Sequence, residues 1–174
     1  LGGGRAQFLP VEQSDPEEPT LHGLRKDGRD LPAEWQKRNP GGAYVWNRSQ
    51  LEALDLAKTR RLFGLFDPSH MEFEADRASD RGGEPSLSEM TSAALRVLAA
   101  QPKGFVLMVE AGRIDHAHHA GNAYRALGDT IELSRAVEAA LAATRREDTL
   151  VIVTADHGHT LTLAGYPKRG NPIL

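Results

Sequence analysis

Two short, continuously apolar runs flank a long helical pattern in the second half of the chain. Residues 105–109 and 150–153 show no alternation of polar and apolar side chains, which is typical of strands buried on both faces of a parallel sheet. Between them, residues 122–146 carry apolar side chains at near-helical spacing. These side chains are Tyr124, Leu127, Ile131, Leu133, Val137 and Leu141. Strand, helix and strand in this order predict a right-handed parallel βαβ unit.

The first half of the chain shows shorter alternating patterns. Residues 10–39 are rich in proline, glycine and charge, which predicts an excursion over the surface with a short helix near residues 32–37. Residues 43–46 and 61–66 are apolar and aromatic and are predicted to be strands. Short strands and helices that alternate along the chain predict the α/β class.

Capping residues mark the starts of two further helices. Asn47 or Ser49 can cap a helix near residues 50–56. Ser86 followed by Glu89 forms a capping-box pattern that opens a second helix. The apolar side of that helix would carry Leu87, Met90, Ala94, Leu95 and Leu98.

Composition limits the size and the partners of the protein. The 174 residues, 40% hydrophobic and 26% charged, suit one globular domain or part of one. A formal net charge of −3 provides no basic field for nucleic acid, so we expect no nucleic-acid partner. The absence of cysteine leaves histidine, carboxylates and hydroxyl groups as the metal ligands that the sequence offers.

The two ends of the sequence look cut. The chain opens at Leu1 without a basic and apolar leader, and no apolar run approaches the ~20 residues of a membrane helix. We therefore expect that a signal peptide, if the protein has one, lies outside this sequence.

Metal-ligating side chains follow both predicted buried strands. Glu110, Asp115 and His119 come after the first run, and Asp156 and His157 come after the second. The carboxyl ends of adjacent parallel strands lie about 5 Å apart, and ligands bind beyond those ends in open α/β sheets. The two clusters are therefore predicted to meet in one pocket at the carboxyl edge of the sheet.

The spacing of these side chains suits divalent cations. Asp115 and His119 stand four residues apart, which places them on one face of a helical turn. Glu110 in an oxygen-rich setting would suit Mg²⁺, and two zinc ions ~4 Å apart would suit phosphoryl transfer. Each Asp–His pair could instead be an ordinary surface hydrogen bond, and His118 is predicted to be a supporting or solvent-facing histidine.

The clusters also carry a family resemblance. Residues 109–119 (VEAGRIDHAHH), 123–127 (AYRAL) and 153–159 (VTADHGH) resemble alkaline phosphatases, and the resemblance extends over nearly the whole chain. It implies part of a three-layer αβα sandwich with a mainly parallel central sheet. The whole chain, 1–174, would then be a fragment of a single catalytic domain. Residues 1–60 would supply a surface excursion and short elements, and residues 61–174 the sheet, the helices and the metal-ligand clusters.

The resemblance assigns a role to each candidate residue. It implies magnesium at Glu110, one zinc at Asp115 and His119, and a second zinc at Asp156 and His157. His116 would contact phosphate through water, and His159 would support an aspartate ligand from outside the coordination shell. A calcium site is implied at the main-chain oxygen of Phe66 and the carboxylates of Asp67 and Glu84, although an insertion near residues 81–83 departs from the family pattern.

The resemblance further implies an intact protein that hydrolyses phosphate monoesters. The serine nucleophile of the family would lie outside this chain, so the chain by itself is expected to be inactive. A homodimer and a periplasmic, secreted or cell-surface location are also implied. The alternatives are another metal-dependent phosphohydrolase of the same superfamily, or a non-catalytic metal-binding remnant.

Overall fold

The computed structural model describes residues 1–162, 165 and 168–170 of the chain. Short 3-10 turns cover Arg5–Gln7 and Arg77–Ser79. The helices and strands of the described residues are α1 (Leu31–Arg38), β1 (Ala43–Val45), α2 (Arg48–Glu52), β2 (Leu62–Gly64), α3 (Leu87–Leu98), α4 (Arg113–His119) and α5 (Ala123–Ala143). Both strands and all five α-helices overlap segments for which the sequence predicted a strand or a helical turn.

A two-stranded parallel sheet lies at the centre of the first half. β1 and β2 pair in parallel, with Val45 opposite Gly64, and Gly2 extends the sheet by one parallel bridge to Leu65. The ring of Phe63 on β2 lies 5.5 Å, centroid to centroid, from three other aromatic rings. These rings belong to Phe8, Trp35 and Tyr44. The aromatic contacts join α1 and the N-terminal segment to the sheet.

The glycines at the start of the chain make a close backbone contact. A Cβ atom on Gly3 would lie 2.4 Å from the carbonyl oxygen of Ser69, so no larger residue fits without a backbone shift. Gly4 has a φ of +82°, which side-chain-bearing residues rarely adopt. The two glycines thereby lead the chain directly into Arg5, the buried residue on which the N-terminal segment is anchored.

Arg5 is fully buried and makes ionic contacts with two acidic side chains. Its guanidinium donates to both carboxylate oxygens of Asp15, at 2.7 and 2.8 Å, and to Glu17 Oε2 at 2.6 Å. It also donates to the carbonyls of Leu65 and Trp46, at 2.9 and 3.2 Å. Residues 10–39 are mostly exposed, as predicted, but this ion network ties them to the end of β2.

Side-chain caps begin the helices where the sequence predicted. Asn47, rather than Ser49, caps α2 by accepting from the backbone N–H of Gln50. The predicted capping box opens α3, because Ser86 accepts from the N–H of Glu89 while Glu89 accepts from that of Ser86. These caps depend on contacts within four residues, which is why the sequence specifies them.

The main core joins β1, α2 and α3. Its buried members are Val45, Leu51, Leu56, Phe66, Ala93 and Val97. α3 packs against α5, and α5 packs against α4. The polar Glu132 is buried on α5, where its carboxylate accepts from the backbone N–H of Ser88 at 2.9 Å. An anion at the first turn of α3 is electrostatically favourable.

The apolar positions predicted along α5 are largely exposed. Tyr124, Ile131 and Leu141 are 61%, 55% and 46% exposed, whereas Ala126 and Ala136 are buried. Small side chains allow α3 and α4 to approach closely, so these alanines and Glu132, rather than the large apolar residues, form the packed face of α5 within the described residues.

The prediction of two buried strands is wrong for this structure. Residues 105–109 and 150–153 form no strand, and Val106, Met108 and Leu150 are 96%, 84% and 83% exposed. A strand requires a hydrogen-bonded neighbour, and the described part of the chain supplies none along either run. The βαβ unit is therefore not formed, although its helix, α5, is present.

The described sheet crosses the predicted division at residue 60, because β1 lies before it and β2 after it. That division of the chain stays a prediction. Among the described residues, no helix has both the length and the apolar character needed to cross a membrane.

Candidate metal centre

Aromatic and aliphatic contacts hold α4 in place. Phe73 forms a small core with Ala117 of α4 and Ala126 of α5. The guanidinium of Arg113 lies 3.7 Å from the centre of the Phe73 ring, and that of Arg125 lies 4.8 Å from it. Two cation–π contacts and the buried alanines therefore fix the helix that carries Asp115 and His119.

Three histidines from two segments surround the carboxylate of Asp115. The Nε2 atom of His119, one turn later on α4, lies 3.4 Å from Asp115 Oδ2. From the segment after residue 154, His157 Nε2 and His159 Nε2 lie 3.6 and 3.7 Å from Asp115 Oδ1. Asp115, His119 and His159 each offer one ligand atom within 4.8 Å of the other two. The two segments thus converge on one carboxylate.

These distances suit a shared metal ion better than direct hydrogen bonds. An imidazole–carboxylate separation of about 3.6 Å is too long for a hydrogen bond. Two donor atoms on one tetrahedral zinc, with bonds of about 2.0–2.1 Å, lie about 3.4 Å apart. Asp115 Oδ1 is also buried and has no hydrogen-bond partner among the described residues. The donor set therefore fits a divalent cation that prefers imidazole and carboxylate.

A hydrogen bond sets which nitrogen of His157 faces the centre, and a similar bond orients the neighbouring His118. The Nδ1–H of His157 donates to the carbonyl of Gly158 at 2.8 Å, and that of His118 donates to the carbonyl of Ile114 at the same distance. The Gly158 carbonyl, together with the charges of Asp156 and Asp115, raises the pKa of His157. Because a metal binds only neutral imidazole, protons compete with the metal for His157 at low pH.

A sequence model of a family described as "Alkaline phosphatase" matches residues 1–174. The chain belongs to the alkaline phosphatase family. Over 180 residues it is 48% identical to the tissue-nonspecific alkaline phosphatase isozyme of Gallus gallus, with all of this chain and 34% of that protein covered. It is 46% identical to a membrane-bound alkaline phosphatase of Bombyx mori, again over all of this chain and 32% of that protein. The chain thus spans about a third of these relatives.

The fold agrees with this family membership. The crystal structure of Thermus thermophilus alkaline phosphatase superposes with a TM-score of 0.68 and 39% identity, covering 82% of this chain and 26% of that one. The α/β, alkaline phosphatase-like fold class expected from the sequence is therefore confirmed, with a small parallel sheet and several helices in the described residues.

Of the other predicted site residues, His116 and Asp156 lie on the two segments that form this centre, whereas Glu110 lines a separate cavity. Asp156 Oδ2 lies 3.5 Å from His157 Nε2, with its side chain 89% exposed. His116 lies on α4, where its Nδ1 accepts from Arg113 at 3.1 Å and its ring meets that of His70. Glu110 is separate: it lines a cavity of about 90 Å³ together with Arg113, Asp129 and Glu132.

A second cluster collects the residues predicted for calcium. Asp67, Asp80 and Glu84 each offer a carboxylate oxygen within 4.8 Å of the other two. Phe66, whose main-chain oxygen belongs to the predicted site, is 1% exposed and precedes Asp67 directly. Asp67 and Asp80 also line a cavity of about 290 Å³ that Glu17 borders. The sequence did not single out Asp80, Glu17 or His70, because loop residues carry no periodic pattern.

Burial shifts the titration of this second cluster. Burial raises the pKa of Glu84 to about 8, and burial together with the neighbouring Glu17 raises that of Asp80 to about 6. Burial also raises the pKa of Asp67. Carboxylates that are buried close together resist ionisation unless a cation neutralises them.

We expect the metal-free chain to lose stability as the pH rises from about 5 to about 8, with Glu84 as one source. The unfolded carboxyl ionises near pH 4.5 and the folded one near pH 8, so the folded state binds the extra proton between these values. The contribution of Glu84 to the free energy of unfolding is therefore greatest below pH 4.5. It decreases as the pH rises from 4.5 and is lost once the pH has passed through about 8. In EDTA, the melting temperature of Glu84→Gln should decrease less with rising pH than that of the wild type. Glu52→Gln, at an exposed residue of α2, serves as control, and equal pH slopes in all three proteins would contradict the assignment.

Proposed function

We propose that this chain contributes metal ligands to the active site of an alkaline phosphatase that hydrolyses phosphate monoesters. The observation that carries the proposal is the convergence of α4 and residues 156–159 on a buried oxygen of Asp115 that has no hydrogen-bond partner among the described residues. Family membership over the whole chain supports the same conclusion. The serine nucleophile would come from a part of the protein outside these 174 residues.

Asp115 and His119 would hold one zinc ion, and Asp156 and His157 a second. Glu110 would hold magnesium. His159 would support the Asp115 carboxylate from outside the coordination shell, as the family resemblance implies. Its Nε2 lies 3.7 Å from Asp115 Oδ1, so the two groups would have to approach each other slightly to form the hydrogen bond that raises metal affinity. When bound, the zinc ions supply Lewis-acid stabilisation of a phosphoryl group that exchanges oxygens.

His116 would contact the substrate phosphate through water. Its Nδ1 accepts from Arg113 at 3.1 Å, so the proton of the neutral ring lies on Nε2. That N–H can donate to a water molecule that in turn donates to a phosphate oxygen. Arg113 thus sets the tautomer that this role requires.

Phe66, Asp67 and Glu84 would hold calcium, for which an all-oxygen ligand set is appropriate. This site lies on the loops that follow β2 and precede α3, apart from Asp115 in sequence. Its contribution would be to hold these loops together by neutralising carboxylates that otherwise repel one another.

The intact protein is further proposed to be a homodimer at the cell surface, in the periplasm or secreted. The membrane-bound relative in Bombyx mori supports a surface location. The homodimer rests on the family resemblance alone.

Asp156→Ala in the intact protein should lower both zinc content and the turnover of p-nitrophenyl phosphate. Loss of a single transition-state contact costs about 10²–10³-fold in turnover, so we expect a decrease of at least about 100-fold. Asp148→Asn, which changes an exposed aspartate that pairs with Arg145, should leave both unchanged. Metal content by mass spectrometry and initial rates at saturating zinc provide the measurement.

The same experiment separates the alternatives. Full zinc occupancy with unchanged turnover in Asp156→Ala would refute the ligand assignment. An intact wild-type protein that binds zinc without releasing p-nitrophenol would be the non-catalytic metal-binding protein. Preference for phosphate diesters over monoesters would indicate another phosphohydrolase of the superfamily.

A further inference from the structure

The ring of His70 packs against the ring of His116, the residue proposed to contact the substrate phosphate through water. The two ring centroids lie 4.6 Å apart and the ring planes meet at 69°, which is the edge-to-face arrangement that aromatic rings favour. His70 lies on the loop after β2, whereas His116 lies on α4. The contact therefore brings a second imidazole, from a distant segment of the chain, to the place where the phosphate is proposed to bind.

The backbone that leads to His70 is fixed by the N-terminal segment. The N–H groups of Arg5 and Ala6 donate to the carbonyls of Asp67 and Pro68, at 2.9 and 3.0 Å. Arg5 is itself fully buried and held by its ion network. The turn that carries His70 is thereby attached to a segment that is anchored in the interior of the protein.

The backbone that follows His70 is fixed against the protein core. Met71 packs against the main core, and Phe73 is buried together with Ala117 of α4. His70 itself is exposed. An exposed side chain on a backbone that is held on both sides keeps its position, and the Phe73 contact ties that position to the helix that carries His116.

Arg113 fixes one nitrogen of His116 but does not fix the plane of its ring. Arg113 Nη1 donates to His116 Nδ1 at 3.1 Å, and the torsion between Cβ and the ring of a histidine is broad. With this single hydrogen bond the ring can swing about that torsion, and its Nε2–H swings with it. The ring of His70, packed at 69° to that of His116, removes this freedom.

We propose that His70 is a positioning residue for the substrate phosphate: its ring holds the plane of the His116 ring, so that the Nε2–H of His116 points to the bridging water. This inference rests on the phosphate contact of the proposed function and adds the residue that orients it. The bridging water contacts the phosphate in substrate, transition state and product alike. An interaction of equal strength in ground state and transition state raises affinity without raising kcat. His70 should therefore act on the binding of phosphate and not on turnover.

Steady-state kinetics of the intact protein with p-nitrophenyl phosphate, and with inorganic phosphate as competitive inhibitor, test this proposal. His70→Ala should raise the KM of the substrate and the inhibition constant of phosphate by the same factor. We expect about 3–10-fold, the effect of losing an aromatic pair, while kcat stays within about twofold of the wild type. His22→Ala, at an exposed histidine of the N-terminal loops, should change none of these constants.

A conservative variant separates positioning from direct contact and from misfolding. His70→Phe retains a ring that can pack against His116, so its constants should match those of the wild type. A purely structural defect would lower the fraction of folded enzyme, and hence the apparent kcat, at an unchanged KM; circular dichroism reports that fraction. The proposal is wrong if His70→Phe binds phosphate as weakly as His70→Ala, or if His70→Ala lowers kcat and leaves KM unchanged.

A double variant tests whether the two histidines act as a unit. In a His116→Ala background, His70→Ala should cause no further change, because the ring that it orients is gone. Effects that multiply would show that His70 acts independently, and would overturn its positioning role.

The His116→Ala variant alone distinguishes the two levels of the argument. If His116→Ala weakens phosphate binding while His70→Ala does not, the phosphate contact of His116 stands and the role of His70 is refuted. If His116→Ala leaves both KM and the inhibition constant unchanged, the phosphate contact itself is refuted, and the role of His70 with it.

Discussion

Replacing Asp115 by asparagine is expected to weaken zinc binding by the 174-residue chain by at least about 100-fold. The Nε2 atoms of His119, His157 and His159 lie 3.4, 3.6 and 3.7 Å from its carboxylate oxygens. Loss of a residue that only supports a ligand typically costs 10–100-fold in affinity, so loss of the central carboxylate should exceed that range. Competition against a chromogenic zinc chelator at pH 7.5 measures the effect.

A graded series makes this result specific. His159→Gln should weaken zinc binding by about 10–100-fold if it only orients Asp115. His22→Gln, at a histidine in the N-terminal loops, should have no effect. Cobalt substituted for zinc gives an absorption band that reports coordination directly, so a wild-type cobalt spectrum in Asp115→Asn would refute the assignment even if the measured affinities were changed by unfolding.

Arg5→Met is expected to lower the free energy of unfolding by about 3–5 kcal/mol, as is typical when one partner of a buried ion pair is removed. Arg5 is fully buried, and the side chains of Asp15 and Glu17 are 1% and 8% exposed. Methionine fills a similar volume but leaves both carboxylates without their cation. Urea denaturation monitored by circular dichroism measures the change.

An exposed ion pair provides the matched control. Arg29 and Glu34 form a contact in which the side chains are 47% and 33% exposed, so Arg29→Met should cost less than about 1 kcal/mol. The triple replacement of Arg5, Asp15 and Glu17 by apolar residues should recover much of the stability lost in Arg5→Met, because no uncompensated charge remains. Equal destabilisation by Arg5→Met and Arg29→Met would show that the buried network contributes no more than a surface pair.

Local rules explain why the helices were predictable. Asn47 caps α2, and Ser86 with Glu89 opens α3, through hydrogen bonds that span three residues. Asp115 and His119 were expected on one helical face because they stand four residues apart. On α4, His119 Nε2 lies 3.4 Å from Asp115 Oδ2. In each case the interacting groups are close in sequence, so the sequence alone determines that they meet.

The runs 105–109 and 150–153 show where local rules fail. Continuous apolarity predicted buried strands, but a strand is defined by a neighbour that can be distant in sequence. The described residues place no paired strand beside either run, and their side chains are largely exposed. The prediction that the following ligand clusters meet nevertheless agrees with the geometry around Asp115, while Glu110 lies in a separate cavity.

The sequence by itself determined the helices, their caps, the strands β1 and β2, the spacing of ligands on α4 and the resemblance to alkaline phosphatases. The tertiary structure decided that His157 and His159 reach Asp115, that Arg5 is buried between Asp15 and Glu17, and that Asp80 joins Asp67 and Glu84. The physical reason is the separation along the chain between the residues that interact. Caps and helical spacing depend on backbone geometry over a few residues, whereas these contacts depend on how loops far apart in the chain pack against one another.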